Sequence, residues 1–418
     1  MKHKYKVWIK LFVCLLMLVG AGEIYAIFQM SGTLLGGKLP AGQNSVSPPY
    51  SRPSASAVQS VQNTPSKPVE HPNKPAVTGI FASYSDAAQK KLAEMSLSEK
   101  VGQLFIFRCP DSNAMQAVKK YQPCGYVLMA SHFKGKTREQ VVAMTDSFQS
   151  ASTVKMVLCA DEEGGTVVRV SGFSALSPAK FQSPQTVFQL GGMSAIYKDT
   201  VRKSQLLLSL GINLNLAPVA DVSTNPKDFI YDRSFGKPAA QTAQFVTTFV
   251  NAANSQKISS ALKHFPGYGN NADTHTGIAY DKRSYAVFEK SDFLPFSAGI
   301  QAGAQCVLVS HNIVECMDPA RPASLSPKVH QILRDTLHFT GIVMTDDLVM
   351  DAIRDFTKGK NPAVDAFQAG NDILLSSNME EDYQSLYAAV CSGEISEARV
   401  EQSVLRILAW KYAMKIIR

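Results

Sequence analysis

The chain has 418 residues, is 45% hydrophobic and carries a formal net charge of +8 at pH 7, enough length and apolar content for a sizeable core. The charge is uneven: residues 1–78 hold eight Lys or Arg against two acids, six of the eight net charges, and leave the remainder of the chain close to neutral. A near-neutral body excludes a nucleic-acid-binding surface as its main business.

In chain order, Lys2, Lys4, Lys6 and Lys10 precede an apolar run from Leu11 to about Gly22, which Ile24 to Met30 continue after Glu23. Basic residues stay on the cytoplasmic side, so the rest of the chain is expected to be exported, with residues 1–30 as a cleaved signal peptide or a retained membrane anchor. Cys14 follows Val13, not a small residue, and reads as packing within the segment, not as a lipid-attachment site. Residues 31–78 are rich in Ser, Pro, Gln and Asn, with seven prolines between Pro48 and Pro75 and no helical or strand period. Such a segment reads as a disordered linker that holds a domain away from the membrane.

The folded body is expected over residues 79–418 as a single catalytic domain. Ser96 with Glu99 three later predicts a capping box opening a helix. Apolar runs then alternate with amphipathic stretches. The runs are 104–107, 125–129, 155–160, 212–216, 258–262, 305–309, 341–344 and 372–375. Helical patterns cover 138–150, 195–210, 239–254, 287–302 and 327–337, the last with Ser326 as N-cap and Pro327 in first position. Eight short strands alternating with helices predict an α/β fold, a (β/α)8 barrel of the TIM type, with a doubly wound sheet as the competing architecture.

A barrel places functional groups just after its strands. Polar clusters fall there: Asp161-Glu162-Glu163-Gly164-Gly165 after the third run, Asp221 after the fourth, Ser310-His311-Asn312 after the sixth, Thr345-Asp346-Asp347 after the seventh and Ser376-Ser377-Asn378 after the eighth. The fifth run leads into Lys263 to Gly277, read as a polar loop with two histidines, a lysine and an aspartate. Asp273 and His275 stand two apart, so the carboxylate can hold the imidazole in orientation, which suits a proton-transferring group. A lone Asp-x-His is more often incidental, but the density of Gly, Lys and His here favours a site. Asp346, first off its strand, is the carboxylate expected to face the barrel mouth, with Asp347 capping the next helix or supporting its neighbour. An aspartate with a separate proton donor meets the needs of glycoside hydrolysis with retention. No His-x-x-x-His or Cys-x-x-Cys spacing points to a metal, and no cofactor is expected. His311 reads as a packed histidine, and Cys159 and Cys306, in predicted strands, as buried free thiols.

Lys263-His264-Phe265-Pro266-Gly267, then Asp273-x-His275, then Thr345-Asp346-Asp347-Leu348-x-Met350 resemble glycoside hydrolase family 3, closest to its bacterial β-N-acetylhexosaminidase branch. Asp161-Glu162-Glu163-Gly164-Gly165-x-Val167-x-Arg169 and Asp232-Arg233-Ser234-Phe235-Gly236 resemble that family's sugar-binding segments. The resemblance implies Asp346 as nucleophile, His275 as acid and then base, and Asp273 as the group that tunes it. It implies sugar binding by Asp161, Arg169, Arg233, Lys263 and His264. The sequence departs from the family's loop at Tyr268, usually histidine, at Asn270, usually aspartate, and at Thr274, often serine. The expected activity is an exo-β-N-acetylglucosaminidase acting on peptidoglycan fragments, extracytoplasmic and anchored or secreted. A family 3 β-glucosidase, which the short Asp273-x-His275 loop disfavours, an N-acetylglucosaminide phosphorylase and an inactive glycan-binding barrel are the alternatives.

Overall fold

The computed structural model describes residues 76–418. The expectations for a signal or anchor and for most of the linker therefore lie outside the described residues. Among the described residues there are ten strands: β1 (Phe105–Arg108), β2 (Gly125–Val127), β3 (Val157–Ala160), β4 (Leu214–Asn215), β5 (Ser259–Phe265), β6 (Tyr280–Asp281), β7 (Cys306–Val309), β8 (Ile313–Val314), β9 (Ile342–Thr345) and β10 (Leu374–Ser376). Eight form one parallel sheet in the order β10-β1-β2-β3-β4-β5-β7-β9. A parallel bridge from Met344 to Ile373 brings the two ends of that sheet together. The order is sequential around a ring, without the reversal a doubly wound sheet requires, so the fold is the (β/α)8 barrel.

The strands are short, unbroken apolar runs because helices cover them on the outside and their inward side chains fill the barrel. Every residue of β3, β7 and β9 is buried. Strand spacing leaves little room in places: a Cβ on Gly125 would sit 1.9 Å from the carbonyl oxygen of Val157, its register partner on β3. The predicted caps form. Ser96 and Glu99 make the reciprocal capping box, and the Ser326 side chain accepts from Val329 N above Pro327. At the lower end of β10, buried Asp372 accepts from Val343 N at 3.1 Å and Ser403 Oγ at 2.8 Å and pairs with Arg334 and Arg406. Burial alone would raise its carboxyl, but the two guanidinium groups hold it down at about 2.

Two expectations need correction. β5 does not stop at Leu262 but runs to Phe265, so Lys263 and His264 are strand residues, not part of the loop. Their polar side chains fit inside the barrel because acids from neighbouring strands meet them there. The second correction is the small sheet of β6 and β8, which the sequence pattern did not suggest; it pairs Tyr280 with Ile313 beyond the barrel rim. Among the described residues, no helix is long and apolar enough to cross a membrane. The six cysteines there are free, with Cys109, Cys124, Cys159 and Cys306 buried and Cys316 and Cys391 exposed.

Candidate active site

The floor of the site is an ion cluster. Lys263 Nζ lies 2.8 Å from Asp161 Oδ1 and 2.6 Å from Glu163 Oε1. Arg233 grips Glu163 with two bonds, Nε to Oε2 at 3.1 Å and Nη2 to Oε1 at 2.8 Å. Arg169 reaches Asp161 at 3.5 Å. Lys263 and Glu163 are both buried, and their opposite charges keep each other ionised. Burial would push the Glu163 carboxyl up, but Lys263 and Arg233 bring it to about 2. Burial would lower the Lys263 ammonium, but Asp161 and Glu163 raise it above its ordinary value. The three acids in sequence after β3 have separate tasks. Asp161 faces the cavity. Glu162 turns into the backbone and accepts from the N–H groups of Arg169, Val170 and Ser171. Glu163 anchors the two cations.

His264 sits beside this cluster with its ring fixed at both nitrogens. Nδ1–H donates to Asp221 Oδ2 at 2.7 Å, since a carboxylate only accepts. Nε2 then carries a lone pair toward Arg233 Nη2 at 3.2 Å. Asp221 also accepts from His264 N at 3.0 Å and, through its other oxygen, from Tyr268 N at 2.7 Å. The peptide bonds Lys263–His264 and Phe265–Pro266 are cis.

Beyond β5 the chain forms a flap. Tyr268, buried against His264 and Phe229, hydrogen-bonds through its hydroxyl to Thr274 Oγ1. Two of the positions at which the sequence departs from the family's usual loop therefore meet each other. Below the flap, Arg283 donates to Gly267 O at 3.2 Å and pairs with Asp281 at 2.7 Å and Asp292 at 3.0 Å. A Cβ on Gly269, itself at φ +54°, would lie 2.4 Å from that guanidinium. At the tip, Asp273 Oδ1 accepts from His275 N at 2.9 Å and from its Nδ1 at 2.6 Å. That leaves His275 Nε2 facing outward, with the side chain 58% exposed. Ala352 N donates to Thr274 O at 3.3 Å, which ties the flap to the Asp351–Thr357 helix.

Asp346 leaves the end of β9. Its N–H donates to Val309 O at 3.0 Å, and its Oδ1 accepts from Asp347 N at 2.9 Å. Burial would raise its carboxyl, but His311, His264, the Asp347 N–H and Lys263 together hold it below the ordinary range. His311 Nε2–H donates to Asp347 O at 3.0 Å and Nδ1 lies 2.7 Å from Ser324 Oγ. Burial lowers that imidazole below its ordinary value, so at neutral pH it fixes the turn after Asp346 as a neutral ring. Asp347 accepts from Ser377 N at 3.0 Å and the Ser377 hydroxyl, and burial pushes its carboxyl up.

One cavity of about 510 Å³ opens at the C-terminal end of the barrel strands. Seven of the eight predicted site residues line it: Asp161, Arg169, Arg233, Lys263, His264, His275 and Asp346. Asp273 stands behind His275 as its hydrogen-bond partner. The sequence placed Glu163 and Asp221 in the polar clusters past the third and fourth runs without giving either a role, and it did not single out Arg283 or Arg108. Glu163, Asp221 and Arg283 hold the floor and the flap root, and Arg108 is on the cavity wall. Among the described residues, no group of three or more His, Cys, Asp or Glu is arranged to hold a metal ion.

Residues 96–410 match the glycosyl hydrolase family 3 N-terminal domain. A β-hexosaminidase of Xanthomonas axonopodis pv. citri (strain 306) is 34% identical over 276 residues, covering 63% of this chain and 79% of that protein. One from Stenotrophomonas maltophilia (strain K279a) is 33% identical over 276 residues, with the same shares covered. Among solved structures, a family 3 β-N-acetylglucosaminidase from Paenibacillus sp. str. FPU-7 superposes with a TM-score of 0.71 at 28% identity, over 77% of this chain. The match spans only 63% of that Paenibacillus chain. A β-N-acetylhexosaminidase from Beutenbergia cavernae gives a TM-score of 0.68 at 26% identity, over 76% of this chain and 99% of its own.

Proposed function

Since the chain belongs to glycosyl hydrolase family 3 and is a glycoside hydrolase, we propose that it removes terminal β-linked N-acetylhexosamine with retention of configuration. The observation that carries this reading is that Asp346, just past β9, and His275, on the flap after β5, open into the same cavity above the Lys263–Glu163–Arg233 floor.

Asp346 Oδ2, free of the Asp347 N–H that holds Oδ1, attacks the anomeric carbon. As the C1–O bond breaks, the leaving oxygen takes the proton of His275 Nε2. The product is a glycosyl–aspartate ester and a neutral imidazole. Water then gives a proton to Nε2 and attacks C1, and the Asp346 carboxylate departs. Asp273 keeps Nδ1–H engaged, so the exchangeable proton is always on the outward nitrogen. Asp161, Arg169, Arg233, Lys263 and His264 bind the sugar hydroxyls and the acetamido group, with Glu163 fixing two of those cations in place.

His275→Ala tests the assignment. The expected loss of turnover is about 10²–10³-fold on a glycan substrate. It is smaller for the first chemical step on a 4-nitrophenyl N-acetylglucosaminide, whose leaving group needs little protonation. A loss independent of the leaving group, in single-turnover measurements, would remove the acid role. Running the wild type with and without phosphate separates hydrolysis from phosphorolysis, and a nitrophenyl glucoside tests the glucosidase alternative.

The proposed site of action is outside the cytoplasm on cell-wall fragments, from the lysines and apolar run at the N-terminus. Residues 1–78 fused to alkaline phosphatase are expected to give phosphatase activity, which requires export. An inactive fusion that is nonetheless produced would place the enzyme in the cytoplasm.

A further inference from the structure

The flap that carries His275 leaves β5 and returns to the fold at β6, so its place depends on how its two stems are held. Arg283, two residues past β6, joins them. Its Nη2 donates to Gly267 O on the outgoing stem, 16 residues away in sequence, and to Asp281 on the returning stem. Its Nη1 pairs with Asp292, and its guanidinium lies 4.3 Å from the centre of the Phe288 ring. Both acids are buried, and both are tied to the barrel. Asp281 is in register with Val314 on β8. Asp292 precedes the helix Phe293–Gln301, whose Phe293 and Phe296 pack on Phe265 at the end of β5.

The outgoing stem is moulded on this cluster. Gly267 and Gly269 both have positive φ, +126° and +54°. A Cβ on Gly267 would meet Asp292 Oδ1 at 2.4 Å, as one on Gly269 would meet Arg283. The two glycines let the backbone on either side of Tyr268 lie directly on the ion pair. Tyr268 in turn bonds to Thr274, the neighbour of His275. Arg283 itself is not among the residues lining the cavity. We infer that Arg283 is a positioning residue for proton transfer: by closing the two stems of the flap it sets where His275 Nε2 stands, so its loss falls on protonation of the leaving oxygen more than on sugar binding. A reacting group misplaced by about 1 Å can cost about 10²-fold in rate.

The inference rests on the hexosaminidase reading, with His275 as the acid. It is tested with two aryl N-acetylglucosaminides of similar size, 4-nitrophenyl, whose leaving group needs little protonation, and 4-methoxyphenyl, whose leaving group needs much more. The readout is the ratio of their kcat/KM values, which include the first chemical step. Arg283→Met is expected to raise the nitrophenyl-to-methoxyphenyl ratio by about tenfold over the wild type, in the same direction as His275→Ala. Arg283→Lys, which keeps the charge without the planar fork, raises it by less. Added to His275→Ala, Arg283→Met leaves the ratio where it was, because the two act through one group. Each protein is compared with itself on two substrates, so a lower folded fraction does not move the ratio. Arg283→Met with the wild-type ratio, whatever its activity, or a further rise in the double variant, overturns the inference and leaves the hexosaminidase reading standing. If Arg283→Met yields no folded protein, an unchanged ratio in Arg283→Lys overturns it instead. A His275→Ala variant with the wild-type ratio would bring down the acid role itself, and this inference with it.

Discussion

Asp346→Ala is expected to cut kcat/KM on a nitrophenyl N-acetylglucosaminide by about 10⁴-fold or more, because it removes the atom that the proposed mechanism bonds to the anomeric carbon. Folding should survive. Asp346 makes one side-chain hydrogen bond, from the neighbouring Asp347 N–H, and its side chain is partly open to the cavity. His311, His264 and Lys263 outweigh burial and hold the carboxyl below its ordinary range, so the carboxylate adds some stability at neutral pH and its removal should lower the unfolding midpoint without abolishing folding. The sharper version is mass spectrometry of the wild type after reaction with a slow 2-fluoro or 5-fluoro glycoside: the label should sit on the peptide containing Asp346. Residual turnover within tenfold of wild type in Asp346→Ala, at matched folded fraction, would remove the residue from the reaction.

Lys263→Met carries the second large effect, and it acts on stability and binding together. Lys263 is 2% exposed and neutralises two acids at once. Removing one partner of a buried cluster leaves charge unpaired and costs about 3–5 kcal/mol, readable as a lower midpoint in urea unfolding. Asp161 is left with Arg169 at 3.5 Å, and the sugar loses a donor, so KM rises. The pH dependence follows with a definite sign. In the wild type the folded-state Glu163 carboxyl is held at about 2 against an ordinary 4.5. Its contribution to stability is therefore present above 4.5 and is lost as pH falls toward 2. Without Lys263 the folded-state carboxyl moves upward toward its ordinary value, so the acid-dependent loss is smaller and is complete at a higher pH. Acid unfolding curves of the two proteins that coincide would show that the cluster is not what holds Glu163 ionised.

Much of this site could be read from the amino acids alone because barrel geometry turns chain order into position. Apolar runs of four to six residues marked eight strands, and polar residues just after the first, third, fifth and seventh of them, Arg108, Asp161, Lys263 and Asp346, line one cavity. The places where the reading stopped short share a cause. Lys263 and His264 look like loop residues because a strand core is normally apolar. Only a facing Glu163 and Asp221, remote in sequence, make them tolerable inside. Likewise Asp161, Glu162 and Glu163 are adjacent acids whose directions are set by partners on other strands and loops. Arg283 lies in a stretch with no period, and its importance comes from Gly267 and Asp292, which converge on it only in three dimensions. Arg108 sits at the edge of a four-residue apolar strand, where a charged residue signals the end of an element and nothing more.

Asp221 has one further consequence. By taking hydrogens from the His264 ring, the His264 amide and the Tyr268 amide, it pins the end of β5 and the first residues of the flap to a common post. The Tyr268–Thr274 contact then closes the intervening chain into a hoop, held at Tyr268 by Asp221 and at Thr274 by the Ala352 amide. His275, the proposed proton carrier, stands one residue beyond that anchored hoop, so its place and that of His264 are both referred to the Asp221 carboxylate.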